Sequence, residues 1–204
     1  MSGSHEQISI VLKRLAAVER SEPWTLGEVL DSLEQQGVHA LKVLLCIPFL
    51  FPMPIPGVST VFGSAIAFLA VQEITGRRVV MPERVRAFKI DALKFRLVMT
   101  KASIRLERLE RLFKRRWTVL CGRKALLVAV GVTLLSAALL ALPIPPIIPF
   151  TNTLPAIAII CVALGCMWSD GVFVAIGYVA LVATLGYFWA IGDAIATLLP
   201  NIFL

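Results

Sequence analysis

Two apolar segments of this chain are each interrupted by a cluster of prolines. The clusters lie within residues 48–56 and 143–155. When the second cluster is aligned on the first, the two polar residues that follow one cluster coincide with the two polar residues that follow the other. Because proline removes a backbone donor and breaks helices, each segment is predicted to be an interrupted helix. The prolines taken as helix breaks are Pro52, Pro54, Pro56, Pro145 and Pro149.

The composition around these breaks is that of a membrane protein. The chain is 58% hydrophobic and 16% charged, with a mean hydropathy of +0.84. Residues 125–142, 154–168 and 172–192 carry no charge, and each approaches the ~20 residues that a spanning helix needs. We therefore predict an all-α integral membrane protein. It would contain two proline-broken helical repeats, re-entrant or interrupted, together with cytoplasmic amphipathic helices.

The positive charge of the chain is concentrated in one region. The formal net charge is +7, and most of the 20 Lys and Arg residues lie between Gly76 and Lys124. The positive-inside rule places this loop in the cytoplasm. Anionic lipid headgroups are the partner that such a loop attracts at a membrane surface. Nucleic acid is disfavoured as a partner, because apolar segments flank the loop on both sides.

The chain divides into four regions on this basis. They are residues 1–38, cytoplasmic N-terminal amphipathic helices; residues 39–75, the first proline-broken membrane segment; residues 76–124, a basic cytoplasmic amphipathic helix; and residues 125–204, the second proline-broken membrane segment with a C-terminal transmembrane helix.

Two local patterns refine the cytoplasmic regions. Thr25 and Glu28 form a capping-box pattern at a helix start, and Gly37 is predicted to end that helix. In the basic region, apolar residues recur at alternating spacings of four and three, as in a heptad. We interpret this stripe as a helix that lies on the membrane or on the protein's own bundle; the alternative is a dimerising seam. Its members are Phe88, Ala92, Phe95, Met99, Ala102, Leu106, Leu109 and Phe113.

Polar residues beside the breaks are the candidate substrate-binding residues. Interrupted backbone at membrane depth needs internal polar partners, and paired broken helices are typical of transporter sites. Residues directly after a break occupy helix N-terminal positions, where the helix dipole favours an anion or a polar headgroup. The alternative is that they only cap exposed backbone. These candidates are Ser59, Thr60, Thr151, Asn152 and Thr153.

Three ionisable residues near the ends of the apolar segments are further candidates. Glu73 and Arg77 have the spacing of a helical ion pair, and Asp170 precedes a glycine in a predicted tight turn. A structural role at the interface is the alternative for all three. No zinc-protease, phosphate-loop, serine-hydrolase or metal-ligand motif occurs in the sequence. We therefore predict no catalytic residues, no metal, no cofactor and no enzyme activity.

Several stretches in a fixed order share a pattern with a known family. They are residues 25–30, 47–60 and 72–78 in the first half, and 142–143, 149–152, 154–158, 164–165 and 170–171 in the second half. In these stretches the chain resembles the ExoD family of bacterial exopolysaccharide-synthesis proteins. The resemblance implies a multi-pass protein of the bacterial inner membrane that is associated with exopolysaccharide production, and it carries over no catalytic residues.

Two functional hypotheses follow from these patterns. The first is a small transporter or lipid-handling protein with its site at the paired broken helices. The alternative is a non-transporting membrane scaffold that dimerises, or recruits exopolysaccharide-synthesis proteins, through the basic heptad helix. Because so few apolar helices would enclose little space, we expect a homodimer if the protein has a transport pathway.

Overall fold

The structure, a computed structural model, describes residues 8–18, 23–50, 57–75, 83–110, 113–142 and 148–203. These residues are mostly helical. The α-helices are α1 (Ile8–Ala17), α2 (Leu26–Ser32), α3 (Glu34–Cys46), α4 (Val58–Thr75), α5 (Glu83–Arg86), α6 (Ala92–Glu110), α7 (Arg123–Ala141), α8 (Thr153–Trp168) and α9 (Gly171–Phe203). Short 3-10 turns cover Ile47–Leu50 and Thr118–Cys121, and strands β1 (Trp24–Thr25) and β2 (Lys89–Ile90) pair antiparallel.

Four helices, α3, α4, α7 and α8, form the central bundle. Helix α3 packs on α8, α4 packs on α7, and α7 packs on α8. Their shared core contains Cys46, Ile66, Leu140 and Ile159, one residue from each helix and each with no measurable exposure. Gly63 allows α4 to approach α7 closely, because a Cβ there would lie 2.8 Å from the carbonyl oxygen of Ala137.

Helix α9 runs back along α8 after a tight turn. Ser169, in the left-handed conformation at φ 56°, ends α8, and Gly171 begins α9, as the predicted Asp170–Gly171 turn requires. Within the part of the chain that the structure describes, one segment, Gly171–Ala194 of α9, has both the length and the apolar character to cross a membrane. Four further apolar helices contain 10–17 residues, namely Gln36–Leu50, Val58–Ile74, Ala125–Ala141 and Thr153–Trp168.

An N-terminal cap, made of α1, α2, α5, α6 and the β1–β2 pair, covers the end of the bundle where α8 meets α9. Helix α1 packs along α6, and Trp24 of β1 stacks on Phe95 of α6 with ring centroids 5.0 Å apart. Met167, near the end of α8, completes this core. Leu164 and Trp168 of α8 pack against the same cluster, so the cap and the bundle share one apolar core.

The capping box is confirmed, and the predicted helix end at Gly37 is wrong. The main-chain N–H of Thr25 donates to Glu28 Oε2 at 2.8 Å, and the main-chain N–H of Glu28 donates to Thr25 Oγ1 at 3.2 Å. The helix that this box begins stops at Ser32, and Gly37 lies buried inside α3. Glycine inside a helix costs only about 1 kcal/mol relative to alanine, so it does not by itself mark a helix end.

The heptad stripe is longer than the helix that carries it. Phe88 is 65% exposed and precedes β2, so it does not belong to α6. Phe95 is buried, and Met99 and Leu106 are half-buried against the same core as Leu12 of α1. The chain's own N-terminal helix thus covers these residues of the stripe.

Candidate functional site

The helix ends that flank the two proline breaks lie at the same end of the central bundle, which we call the break end. The hydroxyl of Thr60, in the first turn of α4, donates to the carbonyl oxygen of Ala141, at the end of α7, at 3.0 Å. The 3-10 turn that follows α3 packs against α8. At the second break, the hydroxyl of Tyr187 on α9 donates to the carbonyl oxygen of Pro149 at 2.5 Å. Pro52, Pro54, Pro56 and Pro145 lie outside the described residues.

The structure brings polar candidates to this end of the bundle and gives two of them main-chain partners. Besides Thr60, Thr151 is buried and its hydroxyl donates to the carbonyl oxygen of Ile148 at 3.2 Å. Ser59 is buried in the first turn of α4, and Thr153 is the first residue of α8. Asn152 occupies the N-cap position of α8, yet its side chain makes no capping hydrogen bond. The Asn152 side chain therefore does not fill the capping role that was the alternative to substrate binding.

A second group of polar residues, which we call the charged cluster, lies between α3 and α4. It consists of His39, Lys42 and Glu73. Lys42 Nζ forms an ion pair with Glu73 Oε2, and His39 Nε2 lies 3.6 Å from Glu73 Oε1. The side chains of Lys42, Glu73 and His39 are 2%, 10% and 12% exposed, respectively. A buried charge is costly unless it is paired, so this pairing is a strong constraint on how α3 and α4 meet.

The charged cluster places three unlike ionisable groups side by side. A carboxylate, an ammonium and an imidazole in one buried place can hold a charged group. Among the residues that the structure describes, no group of three or more His, Cys, Asp or Glu side chains is placed to hold a metal ion.

Sequence reasoning did not find this cluster. It assigned Glu73 to Arg77, a residue outside the described ranges, and treated Lys42 only as a marker of topology. The available signal was the spacing of His39 and Lys42, which puts them on one face of α3 inside an apolar run. Their partner on α4 comes from a sequence position too distant for any periodic pattern to connect.

Asp170 is brought to a different place and has a structural role. Its Oδ2 accepts from the main-chain N–H of Lys114 at 3.0 Å, and its Oδ1 accepts from that of Val172 at 3.1 Å. The residue is 1% exposed. Asp170 therefore caps α9 and fixes the segment that leads into α7, which is the structural alternative considered for it.

Aromatic packing stabilises the same region around Asp170. Phe113 stacks on Trp168, with centroids 4.1 Å apart, and also contacts Phe173 at 4.2 Å. Beside it, the thiol of Cys121 donates to the carbonyl oxygen of Gly165 at 3.7 Å. Burial raises the pKa of the Cys121 thiol, and the nearby charge of Asp170 raises it further.

Comparison with known proteins identifies the family. The family model described as "Exopolysaccharide synthesis, ExoD" matches residues 8–190. The chain belongs to the ExoD family. Protein ExoD of Rhizobium meliloti (strain 1021) is 34% identical over 94% of this chain and 80% of its own length. An uncharacterized protein, slr1875, of Synechocystis sp. (strain ATCC 27184 / PCC 6803 / Kazusa) is 30% identical over 79% of this chain and 75% of its own. No solved structure matches the chain significantly.

Membership of the ExoD family confirms the resemblance seen in the sequence. It associates the chain with exopolysaccharide synthesis. The family description names no reaction, substrate or residue.

Proposed function

We propose that this ExoD-family protein is a multi-pass protein of the bacterial inner membrane, with the basic region in the cytoplasm. The support is the apolar outer surface of the bundle helices. Val61 on α4, Leu127 on α7 and Val179 on α9 are each at least 61% exposed. Only 28% of the spanning segment of α9 is buried, so it is not the enclosed core helix of a water-soluble domain. Exposed apolar area on this scale fits lipid contact.

The bundle consists, in this proposal, of two proline-broken hairpins with parallel orientation. The first is α3 with α4 and the second is α7 with α8. If the two hairpins are equivalent, the contact of α3 with α8 has its counterpart in the contact of α7 with α4. Both contacts occur. Aligning the two proline clusters places Ile66 on Ile159 and Ala70 on Ala163, and all four residues are buried. The two helices that lead into the breaks show no comparable match in burial.

We propose that the protein moves a small charged molecule or a lipid headgroup for exopolysaccharide synthesis, without a catalytic step. The observation that carries this proposal is the charged cluster, because ionisable groups buried at membrane depth mark substrate or ion pathways by default. The polar residues of the break end, Ser59 and Asn152 among them, would form the opposite opening.

The core between these two ends is closed. Cys46, Ile66 and Ile159 fill the space between the hairpins. Transport therefore requires the hairpins to separate, and rigid rocking of one repeat against the other is the motion that repeat transporters use. A homodimer would supply the additional enclosure that one small bundle lacks.

Flux measurements in liposomes test the proposed function. The substrate panel contains a lipid-linked sugar, a phospholipid and a small anion. We expect one of them to move, and we expect Glu73→Gln and Asn152→Ala to reduce its flux by about tenfold or more, since the first removes a charge from the path and the second removes an amide. Glu28→Gln, which changes the capping box outside the bundle, is the matched control and should keep the flux. Absence of flux over the whole panel would contradict the proposal.

The scaffold alternative is not favoured in its original form. Its seam required Phe95, Met99 and Leu106 to face a partner, and α1 covers them. Polar substitutions at these residues are therefore expected to unfold the cap rather than dissolve a dimer. Measuring the size of the solubilised protein distinguishes these two outcomes. A scaffold would have to recruit its partners through another surface.

A further inference from the structure

The segment Lys114–Val119, which we call the basic platform, combines exposed positive charge with exposed apolar side chains. Lys114, Arg115 and Arg116 are consecutive and exposed. They are followed by Trp117, 66% exposed, and Val119, 85% exposed. An indole and a valine in such exposed positions are unfavourable in water. Cations beside an outward indole match the boundary of a bilayer, where tryptophan is enriched.

The basic platform is held in place by main-chain bonds. Asp170 accepts from the N–H of Lys114 at 3.0 Å, and the N–H of Gly171 donates to the carbonyl oxygen of Arg116 at 2.7 Å. Gly171 contacts Trp117 so closely that a Cβ would overlap the Trp117 carbonyl oxygen. The backbone of the platform is therefore ordered before any partner arrives, which lowers the entropic cost of binding.

The basic platform also lies at the end of the bundle where two apolar helices begin. It lies directly before α7 and contacts the first residue of α9, and these two apolar helices start from this end of the bundle. If the helices enter the membrane, the platform lies at the headgroup layer. The surrounding basic region is the most positively charged part of the chain, so its complement is an anionic surface.

We propose that the basic platform binds the phosphates of anionic phospholipids in the cytoplasmic leaflet, with Trp117 and Val119 inserted among the acyl chains. Arg115 and Arg116 supply the charge, and Asp170 positions them through the backbone. This inference rests on the membrane placement of the proposed function, and it adds the chemistry of the lipid and the residues that select it.

Fluorescence quenching in nanodiscs tests the proposal with the full chain. The discs contain phosphatidylcholine with increasing fractions of either brominated phosphatidylglycerol or brominated phosphatidylcholine. The difference between wild type and Trp117→Phe isolates the signal of Trp117. We expect half-maximal quenching at a several-fold lower fraction of the anionic lipid than of the neutral lipid, and we expect this preference to weaken in high salt.

Charge variants distinguish lipid binding at the basic platform from general attraction by the positive charge of the chain. Arg115→Gln with Arg116→Gln should raise the half-quenching fraction of brominated phosphatidylglycerol by about tenfold. Arg96→Gln with Lys101→Gln removes two exposed charges from α6 and should leave that fraction unchanged within about twofold. Equal quenching by the two brominated lipids, or equal loss in both double variants, overturns the proposal. Failure of the protein to incorporate into discs contradicts the membrane placement instead, and incorporation is measured separately by co-elution with lipid.

Discussion

Glu73 and Asp170 are both carboxylates that the sequence marks as ionisable candidates near the ends of apolar segments, and both are largely buried. Their partners differ. Asp170 accepts hydrogen bonds from two main-chain N–H groups close to its own turn. Glu73 faces two basic side chains from another helix. The partners of Asp170 are main-chain groups, whereas the partners of Glu73 are two ionisable side chains. This difference separates a structural carboxylate from a candidate functional one.

The largest expected effect tests the pairing of Glu73. Lys42→Met leaves the Glu73 charge buried beside His39 alone, and we expect a loss of about 3–5 kcal/mol in the free energy of unfolding. Lys42→Met combined with Glu73→Gln should recover most of that loss, because no uncompensated charge remains. Thermal unfolding in detergent measures both variants. Additive losses in the double variant would contradict the ion pair.

Asp170→Ala tests the structural carboxylate. It leaves the N–H groups of Lys114 and Val172 without their acceptor, and we expect a loss of about 2–3 kcal/mol. Asp170→Asn keeps one acceptor oxygen and should lose about half as much. For both variants, the transport flux divided by the amount of folded protein should equal that of wild type. A flux defect in the folded Asp170→Asn protein would remove the distinction between the two carboxylates.

Gly171→Ala sharpens the same comparison without changing a charge. The added Cβ would overlap the carbonyl oxygen of Trp117, so the segment fixed by Asp170 must shift. We expect a destabilisation of about 1–3 kcal/mol, of the size found for overpacked sites. Gly186→Ala is the matched control, because a Cβ there meets nothing within 4 Å. Equal stability of the two variants would contradict the close contact at Gly171.

The smallest expected effect reports the charge of Asp170. The pKa of Cys121 is raised above 9.0 by burial and then by Asp170, so less thiolate is present at pH 8 than in an ordinary cysteine. Alkylation of Cys121, followed by mass spectrometry, should therefore be slow and should accelerate in Asp170→Asn. Because the folded thiol holds its proton more strongly than the unfolded thiol, this group stabilises the fold below pH 9.0, and its contribution is lost as pH rises further. Unchanged alkylation in Asp170→Asn would show that its charge does not reach the thiol.

Local features were predictable where residues close in sequence decide the geometry. The capping box at Thr25 and the turn at Asp170 follow from short side chains that bond to nearby main chain. The end assigned to Gly37 was wrong because glycine alone does not stop a helix, and α3 continues through it. The heptad stripe marks the face of α6 that carries Phe95, Met99 and Leu106, but the coverage of this face by α1 depends on packing that no single helix contains.

The sequence by itself determined that this chain is helical, apolar and interrupted twice by proline, since composition, periodicity and the missing backbone donor of proline act locally. It also carried the likeness to the ExoD family. Only the tertiary structure decided that Lys42 meets Glu73, that the two breaks share one end of the bundle, and that Asp170 is bound by main chain. These relations join residues on different elements, and the packing of whole helices, each burying its own apolar face, selects them.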